Sequence, residues 1–283
     1  MAELNAAPVP GPQESLRETV ARHGLDPRKA LGQHFLLDLN VTTRIAALAG
    51  DLAGRTVVEV GPGPGGLTRA LLASPTAHIH AVEIDPRACA IIAELAAGSP
   101  DRLSLVQGDA TRLDLAALGP APRQVIANLP YNVGTPLLVG WLRQAAAWEK
   151  LTLMFQLEVA ERICAAPDSA HYGRLAVLAQ WCARCAIVMR VPPGAFSPPP
   201  KVWSAVAQLT PHATQPVPDL FRAMERVTAA AFGQRRKMLR GALKAIGGER
   251  LLSEAGIDGS RRAETLEVSE FERLAKAHLG AGG

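Results

Sequence analysis

Residues 56–68 read TVVEVGPGPGGLT. The first five alternate β-branched residues around one acid and form a short apolar run, the pattern of a strand buried on both faces. Glycine and proline then crowd residues 61–66, and Leu67 opens a helical pattern that continues to Ala73. Strand, glycine turn and helix make the start of a βα unit, and Gly61-x-Gly63-x-x-Gly66 is a spacing that seats phosphates or other close-packed ligands at a helix start.

Working outward, the same alternation repeats. A helix is expected over Leu16–His23, and Asp38 or Asn40 can cap another that runs to about Ala49. Strands are expected at Ile79–Ile84, Leu103–Gln107, Gln124–Ala127 and Leu151–Gln156. Helices are expected at Pro86–Ala97, Thr135–Ala147 and from Val159 to Ala165. Strands alternating with helices predict an α/β fold with a mostly parallel, doubly wound sheet. Ligands then bind beyond the carboxyl ends of the strands. The stretch VPPGAFSPPPKV, residues 191–202, carries five prolines and reads as a stiff loop. A last strand is expected at Trp203–Leu209. From Leu220 onward the periodicity is helical only, so residues 1–210 and 211–283 are expected to form an α/β domain and a small all-helical C-terminal domain.

The composition narrows the class. With 48% hydrophobic residues the chain of 283 can bury a substantial core. No apolar run approaches the ~18 residues of a membrane span. The N-terminus has two acids, three prolines and no arginine before Arg17, unlike a secretory or organellar leader, so a cytoplasmic location is expected. Of the four cysteines only Cys182 and Cys185 are close, and a paired zinc site needs a second pair. They read as small buried residues, and no metal is expected. The net charge is +4, but residues 226–248 hold six basic residues and no acid, which favours a polyanionic partner.

Three acids lie at successive strand ends. Glu59 lies two positions before Gly61, where a carboxylate repels a pyrophosphate but suits an ammonium and a sulfonium. That disfavours a nicotinamide dinucleotide and favours S-adenosylmethionine. Glu83 can hold ribose hydroxyls, and Asp109 can accept from an adenine amino group. The segment NLPYN, residues 128–132, follows the fourth strand. An exocyclic amine conjugated into a ring is a poor nucleophile. The Asn128 side-chain oxygen and the Leu129 carbonyl can accept its two N–H bonds and draw the nitrogen toward tetrahedral geometry. Pro130 stiffens that turn, and Tyr131 offers a face to a flipped-out base. Positioning and electrostatics then carry methyl transfer.

These segments resemble the small-subunit rRNA adenine dimethyltransferases. The resemblance runs from about Lys29 to about Phe271 and includes LGQHFLLD (31–38), VVEVGPGPGGLT (57–68), AVEIDP (81–86), QGDA (107–110), NLPYN (128–132), YGRLAVLAQ (172–180), VPPGAFSPPPKV (191–202) and AAFGQRRKMLRGAL (230–243). It implies a Rossmann-like class I methyltransferase that uses S-adenosylmethionine, releases S-adenosylhomocysteine and dimethylates two adjacent adenosines near the 3′ end of that rRNA. It implies that Gln33, His34 and Leu36 close over the cofactor, with Glu59, Gly61 and Gly63 at its methionine part. Glu83 and Ile84 would lie at its ribose, Asp109 and Ala110 at its adenine, and Asn128 near its methyl group. Tyr131 and Phe196 would sandwich the target adenine above Asn128, Leu129 and Pro130. His34 stands where the family often has Asn, and Leu157 where it often has Lys. Arg235, Arg236, Lys237, Arg240 and Lys244 would contact rRNA phosphates, with Arg236, Arg240 and Lys244 at i, i+4, i+8 on one helix face. The partner implied is an assembling small ribosomal subunit, met by a monomer. Large-subunit resistance methyltransferases are a near neighbour, disfavoured by the loop at 196–202 and the C-terminal match.

Overall fold

The computed structural model describes residues 14–25, 34–234 and 237–280. Gln33, Arg235 and Arg236 lie outside them. The elements in chain order are α1 (Leu16–Arg22), β1 (Phe35–Leu36), α2 (Leu39–Leu48), β2 (Thr56–Val60), α3 (Gly66–Leu72), β3 (His78–Glu83), α4 (Pro86–Ala97), β4 (Leu103–Gln107), β5 (Arg123–Asn128) and α5 (Gly134–Arg143). They continue as β6 (Lys150–Gln156), α6 (Leu157–Ile163), α7 (Arg174–Cys182), β7 (Ala183–Val191), β8 (Phe196–Ser197) and β9 (Ser204–Pro211). The helices α8 (Pro218–Phe232), α9 (Leu239–Ala242), α10 (Gly248–Ala255) and α11 (Val268–Gly280) complete the chain.

Seven strands form one sheet in the order β4-β3-β2-β5-β6-β9-β7. The pairings from β4 across to β6 are parallel, and β9 runs antiparallel between β6 and β7. The chain leaves β2 toward β3 and β4, then returns to the other side of β2 as β5. That reversal opens a crevice at the carboxyl ends of β2 and β5, the place where such sheets bind ligands.

All five residues of β2 are buried. Val57 faces one apolar layer with Ile45 of α2, Leu71 of α3 and Ile92 of α4. Val58 and Val60 face the other with Leu138 of α5, Val177 of α7 and Phe221 of α8. That second layer continues without a break into Met224, Leu252 and Phe271, so the C-terminal helices share its core. Glu225 of α8 reinforces the junction by accepting from Arg143 at 2.8 Å and Arg174 at 3.3 Å.

Local chemistry explains several boundaries. The Asp38 carboxylate accepts from the backbone N–H groups of Asn40 and Val41 and starts α2; Asp85 does the same for Arg87 beneath Pro86 and starts α4. Gly65 precedes α3 with φ of 80°, a conformation that favours glycine, and a Cβ there would also have to displace the Leu95 methyl 2.8 Å away.

Two sequence expectations change, and one junction carried no sequence signal. The expected helix Thr135–Ala147 ends at Arg143 and resumes as a 3₁₀ turn over Ala145–Ala147. The apolar stretch 175–191 holds both α7 and β7, which meet at Cys182–Ala183 with no glycine or proline between them to punctuate the sequence. Arg240 and Lys244 do not share one helix. Described α8 ends at Phe232, Arg240 lies on the short α9, and Lys244 begins a separate 3₁₀ turn, so i, i+4, i+8 spacing does not align them. Gly247, with φ of 129°, breaks the chain before α10.

Candidate active site

One cavity of about 250 Å³ lies at the crevice. It is lined by His34 and Leu36, Glu59, Gly61 and Gly63, Glu83 and Ile84, Asp109 and Ala110, Asn128 to Tyr131, and Phe196. Every described candidate for cofactor or adenine binding therefore reaches a single space. The basic residues Lys237, Arg240 and Lys244 do not line it.

The turn after β2 forms the cavity's floor. Gly61 and Gly63 have φ of 68° and 55°, which L side chains rarely adopt. The Gly63 N–H donates to Glu83 Oε2 at 3.2 Å, while Glu83 Oε1 accepts from Ile84 and Asp85 N–H groups at 2.8 and 2.9 Å. Glu83 is thus held rigidly at the end of β3, and burial raises its pKa despite these three donors. Asp109 is different. Its Oδ1 accepts from the Thr111 hydroxyl and N–H at 2.7 and 2.9 Å, which keeps its pKa below the ordinary value.

Glu59 is the least ordinary group. It is buried on β2, and Oε2 has no hydrogen-bond partner among the described residues. Burial pushes its pKa up to about 8, only partly opposed by the neighbouring Thr68 hydroxyl. Its repulsion of a pyrophosphate is thus weaker than an ionised carboxylate's would be, because the group favours its neutral form. An unpartnered buried carboxyl still rewards a ligand that brings positive charge or an N–H donor. The cavity therefore fits the methionine end of S-adenosylmethionine.

Asn128 ends β5 beside Met154 of β6. Its side-chain amide makes no hydrogen bond to another described residue. The following turn is closed by Val133 and Gly134 N–H groups donating to the Pro130 carbonyl at 3.2 and 3.1 Å. The Leu129 carbonyl takes no part in that turn. The Tyr131 hydroxyl lies 2.9 Å from Ser204 Oγ, and burial raises its pKa. Phe196 arrives from the opposite direction: its strand β8 pairs with β1, setting Phe196 against Leu36 and Ser197 against Phe35. His34 fastens this pair. Its Nδ1 is 2.9 Å from the Pro198 carbonyl, which can only accept, so Nδ1 carries the proton, and its ring centroid is 5.6 Å from that of Tyr131.

Sequence reasoning missed several lining residues. The Phe35 ring lies 3.4 Å from where a Gly63 Cβ would stand, so it covers the glycine turn. Thr111 orients Asp109. Asp-x-Thr after a strand is a readable side-chain turn and could have flagged Thr111; nothing local could have flagged Phe35. Cys182 and Cys185 lie elsewhere, on α7 and β7, and burial raises both thiol pKa values, that of Cys182 to about 12. Among the described residues no group of three or more His, Cys, Asp or Glu could hold a metal ion, and no helix is long and apolar enough to cross a membrane.

The reversal at β2 and β5, the antiparallel β9 and β7 at one edge, and an acid at or near the carboxyl end of each of β2, β3 and β4 define a Rossmann-like methyltransferase. Known proteins narrow this further. The model of the family described as ribosomal RNA adenine dimethylase matches residues 24–278, and the chain belongs to that family. It is 68% identical to the ribosomal RNA small subunit methyltransferase A of Gluconobacter oxydans, over 94% of this chain and 88% of that one. Identity to the protein of the same name from Rhodospirillum rubrum is 53%, covering 98% and 97%. Its fold is similar to a dimethyladenosine transferase from Plasmodium falciparum (TM-score 0.72, 23% identity, 85% of this chain and 96% of that one). It is also similar to the 23S rRNA methyltransferase ErmE (TM-score 0.63, 25% identity, 86% and 98%). The chain is an S-adenosylmethionine-dependent rRNA methyltransferase.

Proposed function

We propose that this protein dimethylates N6 of two adjacent adenosines near the 3′ end of small-subunit rRNA. The observation that carries the reading is the convergence of Asn128, Leu129, Tyr131 and Phe196 on the cavity that also holds Glu59, Glu83 and Asp109. The relatives named small-subunit methyltransferases, at 53–68% identity, favour that RNA over the large-subunit RNA.

Bound S-adenosylmethionine supplies an electrophilic methyl group. Glu83 accepts from the ribose hydroxyls with the oxygen capacity left beside its three backbone donors. Asp109 accepts from the cofactor's adenine amino group, and the Gly61–Gly63 backbone lets the methionine end approach closely. The Asn128 side-chain oxygen and the Leu129 carbonyl accept the two N–H bonds of the target amine, freeing its lone pair from the ring. Tyr131 and Phe196 hold the target base between them, and His34 with strand β1 excludes water from one side. The first methylation leaves one N–H, so the same two acceptors hold the monomethylated amine less firmly.

The substrate is the assembling small ribosomal subunit, the protein acts as a monomer in the cytoplasm, and residues 211–283 are its rRNA-contacting unit, using Arg235, Arg236, Lys237, Arg240 and Lys244. Mass spectrometry of rRNA from cells lacking the protein tests this. Loss of dimethyladenosine from small-subunit rRNA is expected. Loss from the large-subunit RNA alone would overturn the assignment.

A further inference from the structure

A second concavity, of about 600 Å³, lies among α8, α10 and α11 and shares no residue with the first. Arg222 and Arg226 project from successive turns of α8, Arg250 from α10 and His278 from α11. One lining carboxylate, Asp219, opposes them, and it pairs with Arg222. Arg250 lies 3.8 Å from Glu254, and Arg226 has no ion pair among the described residues. Beneath this rim the floor is apolar: Ala223 is buried, Ile246 half-buried, and Leu279 remains 42% exposed. Arg226 is thus left uncompensated among the described residues, beside two exposed, carboxylate-paired arginines, and an anion at this rim would neutralise it. An inorganic anion alone leaves the apolar floor wet, and an apolar peptide leaves the guanidinium groups without partners. A nucleotide satisfies both, with a flat ring for the floor and for arginine stacking, and phosphates for the rim.

We infer that the cleft between α8, α10 and α11 takes one extruded nucleotide of the RNA substrate, its base on Ala223, Ile246 and Leu279 and its phosphates on Arg226 and Arg250. The inference rests on the rRNA-modifying function proposed above and adds an anchor that the basic run at 235–244 does not supply, since none of Lys237, Arg240 or Lys244 lines this cleft.

Two variants of the full chain separate its parts. Arg226→Ala removes a charge, and Ala245→Trp fills the cleft from its exposed edge while leaving every charge in place. Binding to small-subunit rRNA lacking the modification is measured across salt concentrations, with thermal unfolding as the control for folding. Arg226→Ala is expected to weaken binding and to reduce the slope of log K against log[salt] by roughly 0.7 to 0.9. Ala245→Trp is expected to weaken binding about tenfold with the slope unchanged. Wild-type affinity in both folded variants overturns the inference, and so does an effect of Arg226→Ala without one of Ala245→Trp, which would mean a phosphate contact with no base. Calorimetry with inorganic phosphate alone tests the other source of the anion: phosphate binding abolished by Arg226→Ala with RNA affinity intact also overturns it. Wild-type protein that neither binds nor methylates this rRNA defeats the proposed function itself, whereas wild-type methylation with indifferent variants defeats the cleft alone.

Discussion

The phenol oxygen of Tyr131 lies 2.9 Å from Oγ of Ser204, so the ring that follows β5 is tethered to the first residue of β9. Ser204 is fully buried and pairs in register with Gln156 and Val191. The tether crosses β6 and fixes an aromatic face whose own turn is short. Stacking of a base on an aromatic ring contributes about 1–3 kcal/mol. Tyr131→Ala should therefore lower kcat/KM for RNA by roughly 10- to 100-fold. Tyr131→Phe keeps the ring and loses only the tether, a change of about 1 kcal/mol. Steady-state kinetics on both variants check this; equal losses would mean that the hydroxyl, not the face, matters.

Asn128 lines the cavity with a side-chain amide that has no hydrogen-bond partner among the described residues. Its removal leaves the glycine turn, Glu83 and Asp109 intact, so cofactor affinity should change little. A lost hydrogen-bond acceptor aimed at the reacting group lowers turnover by about 10²–10³ in comparable sites. Asn128→Ala should show that split, read by calorimetry with S-adenosylmethionine and by single-turnover methylation. Unchanged turnover would remove Asn128 from the amine's environment.

The strand ends were legible because β2, β3 and β5 are largely buried apolar runs closed by Gly or a polar residue, but the chain order of Glu59, Glu83, Asp109 and Asn128 does not disclose that β5 returns beside β2 and not beside β4. What sequence could not supply was three-dimensional return. Leu36 meets Phe196 across 160 positions because β1 pairs with β8, a two-residue strand with no periodicity to detect. The helix–strand junction at Cys182–Ala183 was hidden for lack of a turn residue. The charge of Glu59 depended on burial, which an isolated EVG motif does not disclose. The basic run looked continuous, yet Arg240 and Lys244 fall on separate elements that pack through Leu239 and Leu243.

Glu225 joins α8 to both α5 and α7. Its side chain is only 14% exposed, while Arg143 and Arg174 remain about half exposed at 54% and 46%. Water screens the two cations, so the network stabilises by about 1 kcal/mol and not by the several expected of a fully buried pair. Glu225→Ala should lower Tm by roughly 2–4 °C. Glu225→Gln, which keeps an acceptor, should recover part of that. Differential scanning calorimetry on the two variants measures it, and a Tm unchanged in both would show the junction held by its apolar core alone.

The placement proposed for Glu59 beside the cofactor's positive groups predicts a pH dependence of binding with a definite sign. Burial raises its pKa from 4.5 to about 8 in the cofactor-free protein, so at neutral pH the carboxyl is mostly protonated. An ammonium or sulfonium placed against it favours the charged form and lowers that pKa. Binding below about pH 8 must then release a proton, and affinity for S-adenosylmethionine should rise with pH until about 8 and level off above it. Calorimetry in two buffers of different ionisation enthalpy counts the proton, and Glu59→Gln should abolish its release. The same shift acts on folding. A carboxyl whose folded pKa exceeds its unfolded one contributes stability that is fully present below about 4.5 and is lost as pH rises through about 8. The cofactor-free wild type should therefore lose more Tm than Glu59→Gln across that window, and added S-adenosylmethionine should narrow the difference. A proton count of zero in the wild type would mean that the cofactor's positive groups lie away from Glu59.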